Sequence, residues 1–331
     1  MTRIKLGIIG CGIAARNLHW PALKRMPDKF EITAVCNHTP EKARTFSELV
    51  GGVPYMQDYR ELLERDDVEA VDIILPIELN LKVTRDALQA GKHVLVEKPL
   101  AANLNEAAEM MDLDRRYNKV KMVAENFRYR PGLLRAGEHI TEGLIGKIHS
   151  VFWNYFSLMT PDNKYAQTNW RINHKYPGGF ITDGGVHNIA GIRLLFGDIT
   201  GGHTFVHGLN PAIGDTDTFC LQFVTDRDIT GVLNLFISTR GYAENRILVL
   251  GDQGSLIIEN ELILITDQKR EILREKVADD NGFYEEFTNF YRAITKGTPV
   301  VSTFREGYRD LATILTALEI KGKWQTFSYQ Y

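Results

Sequence analysis

A chain of 331 residues exceeds one ordinary core, and 44% hydrophobic with 24% charged residues is the composition of a folded protein with two domains. The formal net charge is −3 with acids and bases mixed throughout, so the electrostatic footprint of a nucleic-acid binder is missing. No segment approaches the length of a membrane span. The three scattered cysteines, Cys11, Cys36 and Cys220, form neither a C-x-x-C pair nor a disulfide framework, which fits the reducing cytoplasm.

Arg3 and Lys5 before the apolar run Leu6 to Ala15 imitate a signal peptide, but three glycines interrupt the run and Arg16 follows it. A strand, a tight turn and a helix start explain the segment better. Strand-like runs at Lys5–Ile9, Glu31–Cys36, Ala70–Leu75, His93–Val96 and Val120–Ala124 alternate with helix-like stretches. Those stretches lie near Ala14–Met26, Pro40–Val50, Tyr59–Arg65, Leu81–Ala90 and Leu104–Tyr117. Such alternation predicts βαβ units around a parallel sheet covered on both faces. After Ala124 the pattern changes. Arg130 to Gly143 reads as a helix, Gly146–Met159 as a long strand and Asp183–Phe196 as an amphipathic helix. Asp217 to Ile265 is nearly all strand, broken by turns at 226–228 and 251–254, and helices near Phe283–Thr295 and Phe304–Ile320 follow. The predicted fold is α/β. Residues 1–124 form a doubly wound parallel Rossmann sheet, and residues 125–331 an α+β domain with a large, mostly antiparallel open sheet.

Gly10-Cys11-Gly12-Ile13-Ala14-Ala15 is a G-x-G-x-x-A turn between a strand and a helix. The first Gly makes the turn, the second admits a pyrophosphate, and Ala15 lets helix and strand pack closely. The plain alternative is a glycine turn within a core. At the end of the second strand, where an NAD site places Asp or Glu, this chain has Asn37, followed by His38, Thr39 and Lys42. A neutral Asn37 does not repel a 2′-phosphate, so NADP(H) is expected over NAD(H), although no arginine stands in this stretch. Lys98, in Glu97-Lys98-Pro99 at a strand's C-terminal end, is placed to stabilise a developing alkoxide; otherwise it is a surface lysine. Asp183 and His187 are four apart, on one helix face, a spacing that suits proton transfer or a helix-terminal Asp with a buried His. His203 and His207 find no third ligand in the sequence, so no metal is expected.

Together these elements resemble the Gfo/Idh/MocA oxidoreductase family. The matching residues are the Gly10–Ala15 turn with Arg16, His19 and Pro21, then Ala34–Asn37 with Pro40–Lys42, Glu97-Lys98-Pro99, Ala124–Tyr129, Trp170-Arg171 and Gly178–His187. Trp170–Gly197 further resembles a branch with fungal and bacterial NADP-dependent members. The resemblance implies a catalytic trio of Lys98, Asp183 and His187. It places Asn126, Trp170 and Arg171 beside the nicotinamide, and Leu75, Pro76 and Asn80 on the adenosine or pyrophosphate side. It also implies a homodimer or homotetramer formed through the C-terminal sheet. Two positions depart from the family pattern. Ala190 replaces a substrate-binding Asp, against an inositol-like substrate, and Asn80 replaces a usual His. The expected activity is hydride transfer between NADP(H), or NAD(H), and a small carbonyl or polyol such as a sugar or aldehyde. A non-catalytic NAD(P)-sensing regulator of the same fold and an NAD-dependent glycosidase are the rival readings.

Overall fold

The computed structural model describes residues 2–267, 270–320 and 325–329, with only the backbone of residues 325 and 326. The chain divides into two compact units, one of residues 1–125 with 283–308, the other of 126–282 with 309–330.

The first unit holds six parallel strands, β1 (Ile4–Ile9), β2 (Phe30–Cys36), β3 (Tyr55–Met56), β4 (Ala70–Ile73), β5 (His93–Glu97) and β6 (Lys121–Ala124). Their order, β3-β2-β1-β4-β5-β6, reverses direction at β1/β4, the doubly wound topology in which a ligand crevice opens beyond the strand ends. The central strands β1, β4 and β5 are buried on both faces over most of their length, which explains their continuous apolar runs. Connecting helices include α1 (Trp20–Leu23), α2 (Pro40–Leu49), α3 (Tyr59–Leu63), α4 (Asn80–Gln89) and α5 (Leu104–Arg116). The first connection is shorter than its apolar pattern suggests. It is helical from Ile13 to Leu23, and Ala15–His19 form a π turn. That wider turn, with Ala15 and His19 both buried, is where an imidazole enters the core.

In the second unit, α6 (Pro131–Thr141), α7 (Asn169–Ile172) and α8 (Gly179–Phe196) accompany a nine-stranded sheet. Its strands are β7 (Ile148–Phe156), β8 (Ile199–His207), β9 (Thr218–Thr225), β10 (Thr230–Phe236), β11 (Glu244–Gly251), β12 (Ser255–Glu259), β13 (Leu262–Asp267), β14 (Arg270–Lys276) and β15 (Gln325–Thr326). All pairings are antiparallel except β7 with β10. Alternate residues such as Val151, Trp153, Leu233 and Val249 are buried. The opposite face leaves Phe152 and Phe205 largely exposed. Glycine flats let α8 approach this sheet: a Cβ on Gly191 would stand 2.8 Å from the buried Trp153 ring.

Two helices follow, α9 (Phe283–Lys296) and α10 (Phe304–Glu319). A single boundary after residue 124 does not contain the return of 283–308 to the first unit. The cause is the apolar face of α9, whose Phe287 packs edge-on against Phe30 and His19. No described helix is long and apolar enough to cross a membrane.

Gly191→Ala tests the α8 packing, because the indole behind it cannot swing away as a flexible side chain would. The substitution is expected to lower unfolding free energy by about 1–3 kcal/mol, read from the urea midpoint.

Candidate active site

In the first unit the predicted residues gather at the C-terminal ends of β1, β2, β4 and β5. Gly10 has φ +108°, and a Cβ there would meet the Ile74 carbonyl oxygen at 2.0 Å, so only glycine makes this turn. Gly12 opens on free space, with no heavy atom within 4 Å of a would-be Cβ. Gly12, Ile13 and Ala14 are half-exposed at the start of the helix, an arrangement that fits a pyrophosphate against backbone N–H groups. Leu75 and Pro76 are also half-exposed, and Leu75 comes within 3.3 Å of the would-be Gly10 Cβ.

Asn37 is more committed than its neutral charge suggested. Its Oδ1 accepts the Cys11 N–H at 3.1 Å, and its Nδ2 donates to the Thr39 carbonyl at 3.3 Å. The side chain is buried and braces the glycine turn. His38 is exposed beside it, with its ring 3.3 Å from the Thr39 hydroxyl. Residues 34–42 contain no arginine, but the fold brings one there. Arg16 donates through Nε to the Cys11 carbonyl at 3.4 Å and through Nη2 to the Lys42 carbonyl at 3.3 Å.

Lys98 stands half-buried just beyond β5, and its peptide is held on three sides. The Lys98 N–H donates to Glu97 Oε2 at 3.0 Å. Asn80 Nδ2 donates to the Glu97 and Pro99 carbonyls, both at 2.9 Å. Asn80 is fully buried, so its amide serves this lysine segment rather than the adenosine side expected for it. The Lys98–Pro99 peptide bond is cis.

Behind Glu97 lies an interaction that spacing in the sequence did not reveal. His19 is fully buried between Asp72 Oδ2 at 2.8 Å and Glu97 Oε1 at 2.9 Å. Burial alone would push the imidazole's pKa down. The charge of Asp72 and hydrogen bonds to both carboxylates outweigh it and hold the pKa well above the usual value. Glu286 of α9 is fully buried nearby, with neither carboxyl oxygen hydrogen-bonded, and burial pushes its pKa well up.

In the second unit the predicted residues lie on α7, α8 and the turn Asn126–Tyr129. Asp183 is buried, and its Oδ2 accepts from Arg171 Nε at 2.7 Å. That guanidinium also lies 4.0 Å from the Trp170 ring centroid, a cation–π contact that fixes the pair. Of the two resemblance residues of α7, Arg171 therefore meets Asp183 directly, and Trp170 backs Arg171. His187, one turn further along α8, is half-exposed and stacks on Phe127 with centroids 4.7 Å apart. Asn126 is buried and donates to the Asn281 carbonyl at 2.7 Å. Among the described residues no group of three or more His, Cys, Asp or Glu is arranged to hold a metal.

Comparison with known proteins agrees with this geometry. Residues 4–125 match the NAD-binding Rossmann domain of the Gfo/Idh/MocA oxidoreductase family, and residues 133–257 match that family's C-terminal domain. The chain belongs to the Gfo/Idh/MocA oxidoreductases. An oxidoreductase structure from Thermotoga maritima is 35% identical, covers 98% of each chain and superposes with a TM-score of 0.93. An uncharacterised Saccharomyces cerevisiae protein is 29% identical over 98% of this chain and 97% of its own. A dTDP-3,4-didehydro-2,6-dideoxy-alpha-D-glucose 3-reductase of Actinomadura kijaniata is 34% identical over 59% of this chain and 56% of its own. This family member is thus an NAD(P)-dependent oxidoreductase.

The sign of the buried titrations gives a test. His19, with its pKa raised in the fold, contributes stability that is complete below about pH 6.5 and lost as pH rises through the folded value. Glu286 acts in the same direction from about pH 4.5 upward, because the unfolded chain releases its proton first. Glu286→Gln removes the second contribution. Relative to the parent, its urea midpoint is expected to be more favourable near pH 8 than near pH 5. A difference independent of pH would show that Glu286 is ionised in the fold.

Proposed function

We propose that this protein reduces, reversibly, a carbonyl group on a small sugar-like substrate, with NADP(H) as the preferred cofactor and NAD(H) the weaker one. The observation that carries the reading is the treatment of Lys98. A buried amide, a carboxylate and, behind it, an ion-paired imidazole hold one peptide at the mouth of a Rossmann sheet. So much buried polar structure around a single lysine is what a positioned catalytic group needs.

The nicotinamide supplies or accepts the hydride. In the reducing direction Lys98 donates a hydrogen bond to the carbonyl oxygen and stabilises its developing negative charge. His187 then gives that oxygen a proton, and in oxidation it takes the proton back. Asp183, oriented by its ion pair with Arg171, binds a substrate hydroxyl or tunes His187. Stacking on Phe127 limits the imidazole's rotation, so His187 presents its edge in one direction. Asn126, Trp170 and Arg171 border the nicotinamide in this reading, while Leu75 and Pro76 border the adenosine side. Ala190 is fully buried and brings a methyl group where a second carboxylate would grip a polyol, which favours a substrate with fewer hydroxyls than an inositol. The keto-sugar reductase among the relatives supports a sugar carbonyl. Exposed Phe152 and Phe205 support a dimer or tetramer formed through the nine-stranded sheet, and three free cysteines fit a reducing cytoplasm.

Loss of a positioned proton donor typically slows turnover by about 10²–10⁴. His187→Ala is expected to show that loss in NADPH oxidation with a panel of keto-sugars and aldehydes, with cofactor affinity unchanged. Lys98→Met should do the same. Parent-like turnover in either variant would remove that residue from the mechanism.

A further inference from the structure

The Asn37 brace changes where selectivity for the cofactor's adenosine end must come from. Both polar ends of the amide are engaged, Oδ1 by the Cys11 N–H and Nδ2 by the Thr39 carbonyl. Asn37 therefore keeps a carboxylate out of this corner, and its amide has only the second Nδ2 hydrogen left to offer a phosphate. A neutral N–H brings no charge, so the electrostatic attraction must come from another group.

Arg16 is the group in place to do so. It lies 21 positions before Asn37, yet its guanidinium sits between the glycine turn and the first turn of α2, touching Cys11 and Lys42 only through carbonyl oxygens. Its Cζ is 5.9 Å from the centroid of Phe46, a fully buried ring that backs the head group. Both hydrogen bonds are long, at 3.3 and 3.4 Å, and both acceptors are neutral. Among the described residues Arg16 makes no ion pair, and Nη1 donates to nothing. The neighbouring acids are already matched elsewhere: Glu41 and Glu48 are both paired with Arg44 at 2.7 Å. A guanidinium with an unused edge, weak neutral partners and no competing carboxylate is complementary to a doubly charged phosphate.

We propose that Arg16 is the residue that selects NADP(H), by binding the 2′-phosphate on the adenosine ribose. Asn37 permits this phosphate by its neutrality, exposed Lys42 adds positive potential, and exposed His38 can offer a ring N–H. The proposal rests on the dinucleotide-binding reading above and adds the residue that decides between two dinucleotides.

Binding is measured by tryptophan fluorescence and calorimetry with NADPH, NADH, adenosine 2′,5′-bisphosphate and AMP, so no turnover is needed. Arg16→Ala is expected to weaken NADPH and the bisphosphate by about 10- to 100-fold, the range for a hydrogen bond to a charged group, while NADH and AMP change less than about twofold. Arg16→Lys should lie between, since a point charge replaces the fork. Asn37→Asp keeps the acceptor for the Cys11 N–H and adds a charge, so it should weaken NADPH and spare NADH. Equal losses of NADPH and NADH in Arg16→Ala would make Arg16 a structural support for the turn and overturn the proposal. So would an unchanged NADPH affinity, or a parent that prefers NADH. A parent that binds none of the four ligands would instead overturn the dinucleotide reading itself.

Discussion

An imidazole sealed from water between two carboxylates ties the strand-end edge of the first unit together. His19 reaches in from the π turn and joins Asp72, on β4, to Glu97, at the end of β5. Removing one partner of such a buried pair typically costs about 3–5 kcal/mol, because the charge left behind has no solvent. Replacing the whole group with apolar residues could leave stability unchanged or improve it, so stability alone does not account for it. What apolar replacements could not reproduce is direction. Glu97 turns its other oxygen to the Lys98 N–H, and Asn80 closes on the carbonyls at either side. The same low dielectric that makes the pair costly to break makes it stiff.

Much of the fold was legible because periodicity survives in a single sequence. The glycine turn, the alternating strands and helices, and the change to turn-punctuated strands after Ala124 all correspond to structure. What was not legible depends on side-chain direction and on distant segments meeting. Asn37 was readable as a missing carboxylate, but nothing in the sequence says that its amide faces backward onto Cys11. Asn80, placed on the cofactor side by resemblance, faces the lysine segment instead. His19 and Arg16 appeared among the family-like residues without a task, since their partners lie 53 and 26 positions away. The apolar face of α9 was visible as a helix pattern, but not that it would cover His19 and Phe30.

On α8, helical spacing put Asp183 and His187 on one face, which invited a direct carboxylate–imidazole pairing. The fold gives each an aromatic-backed neighbour. Arg171, lying over Trp170, holds the carboxylate, and Phe127 stacks on the imidazole face. Both neighbours come from segments outside α8, so the orientation of the two side chains depends on tertiary packing as well as on helical spacing.

The helix itself explains why the pair is presented so rigidly. Nearly every residue of α8 is buried, and Gly185 and Gly191 admit neighbouring side chains where a methyl group would collide: Ile314 and Leu235 at one, Trp153 at the other. Glycines inside a helix ordinarily cost about 0.5–1 kcal/mol each relative to alanine. Here they let the helix lie closer to the sheet than ordinary side chains allow, and dispersion attraction between its backbone and the buried indole and aliphatic neighbours offsets that cost. Rigidity of the helix is therefore a consequence of its small residues, and the reactive face inherits it: Asp183 and His187 project from a backbone packed on the sheet, so their positions are set by the core beneath them rather than by loop geometry.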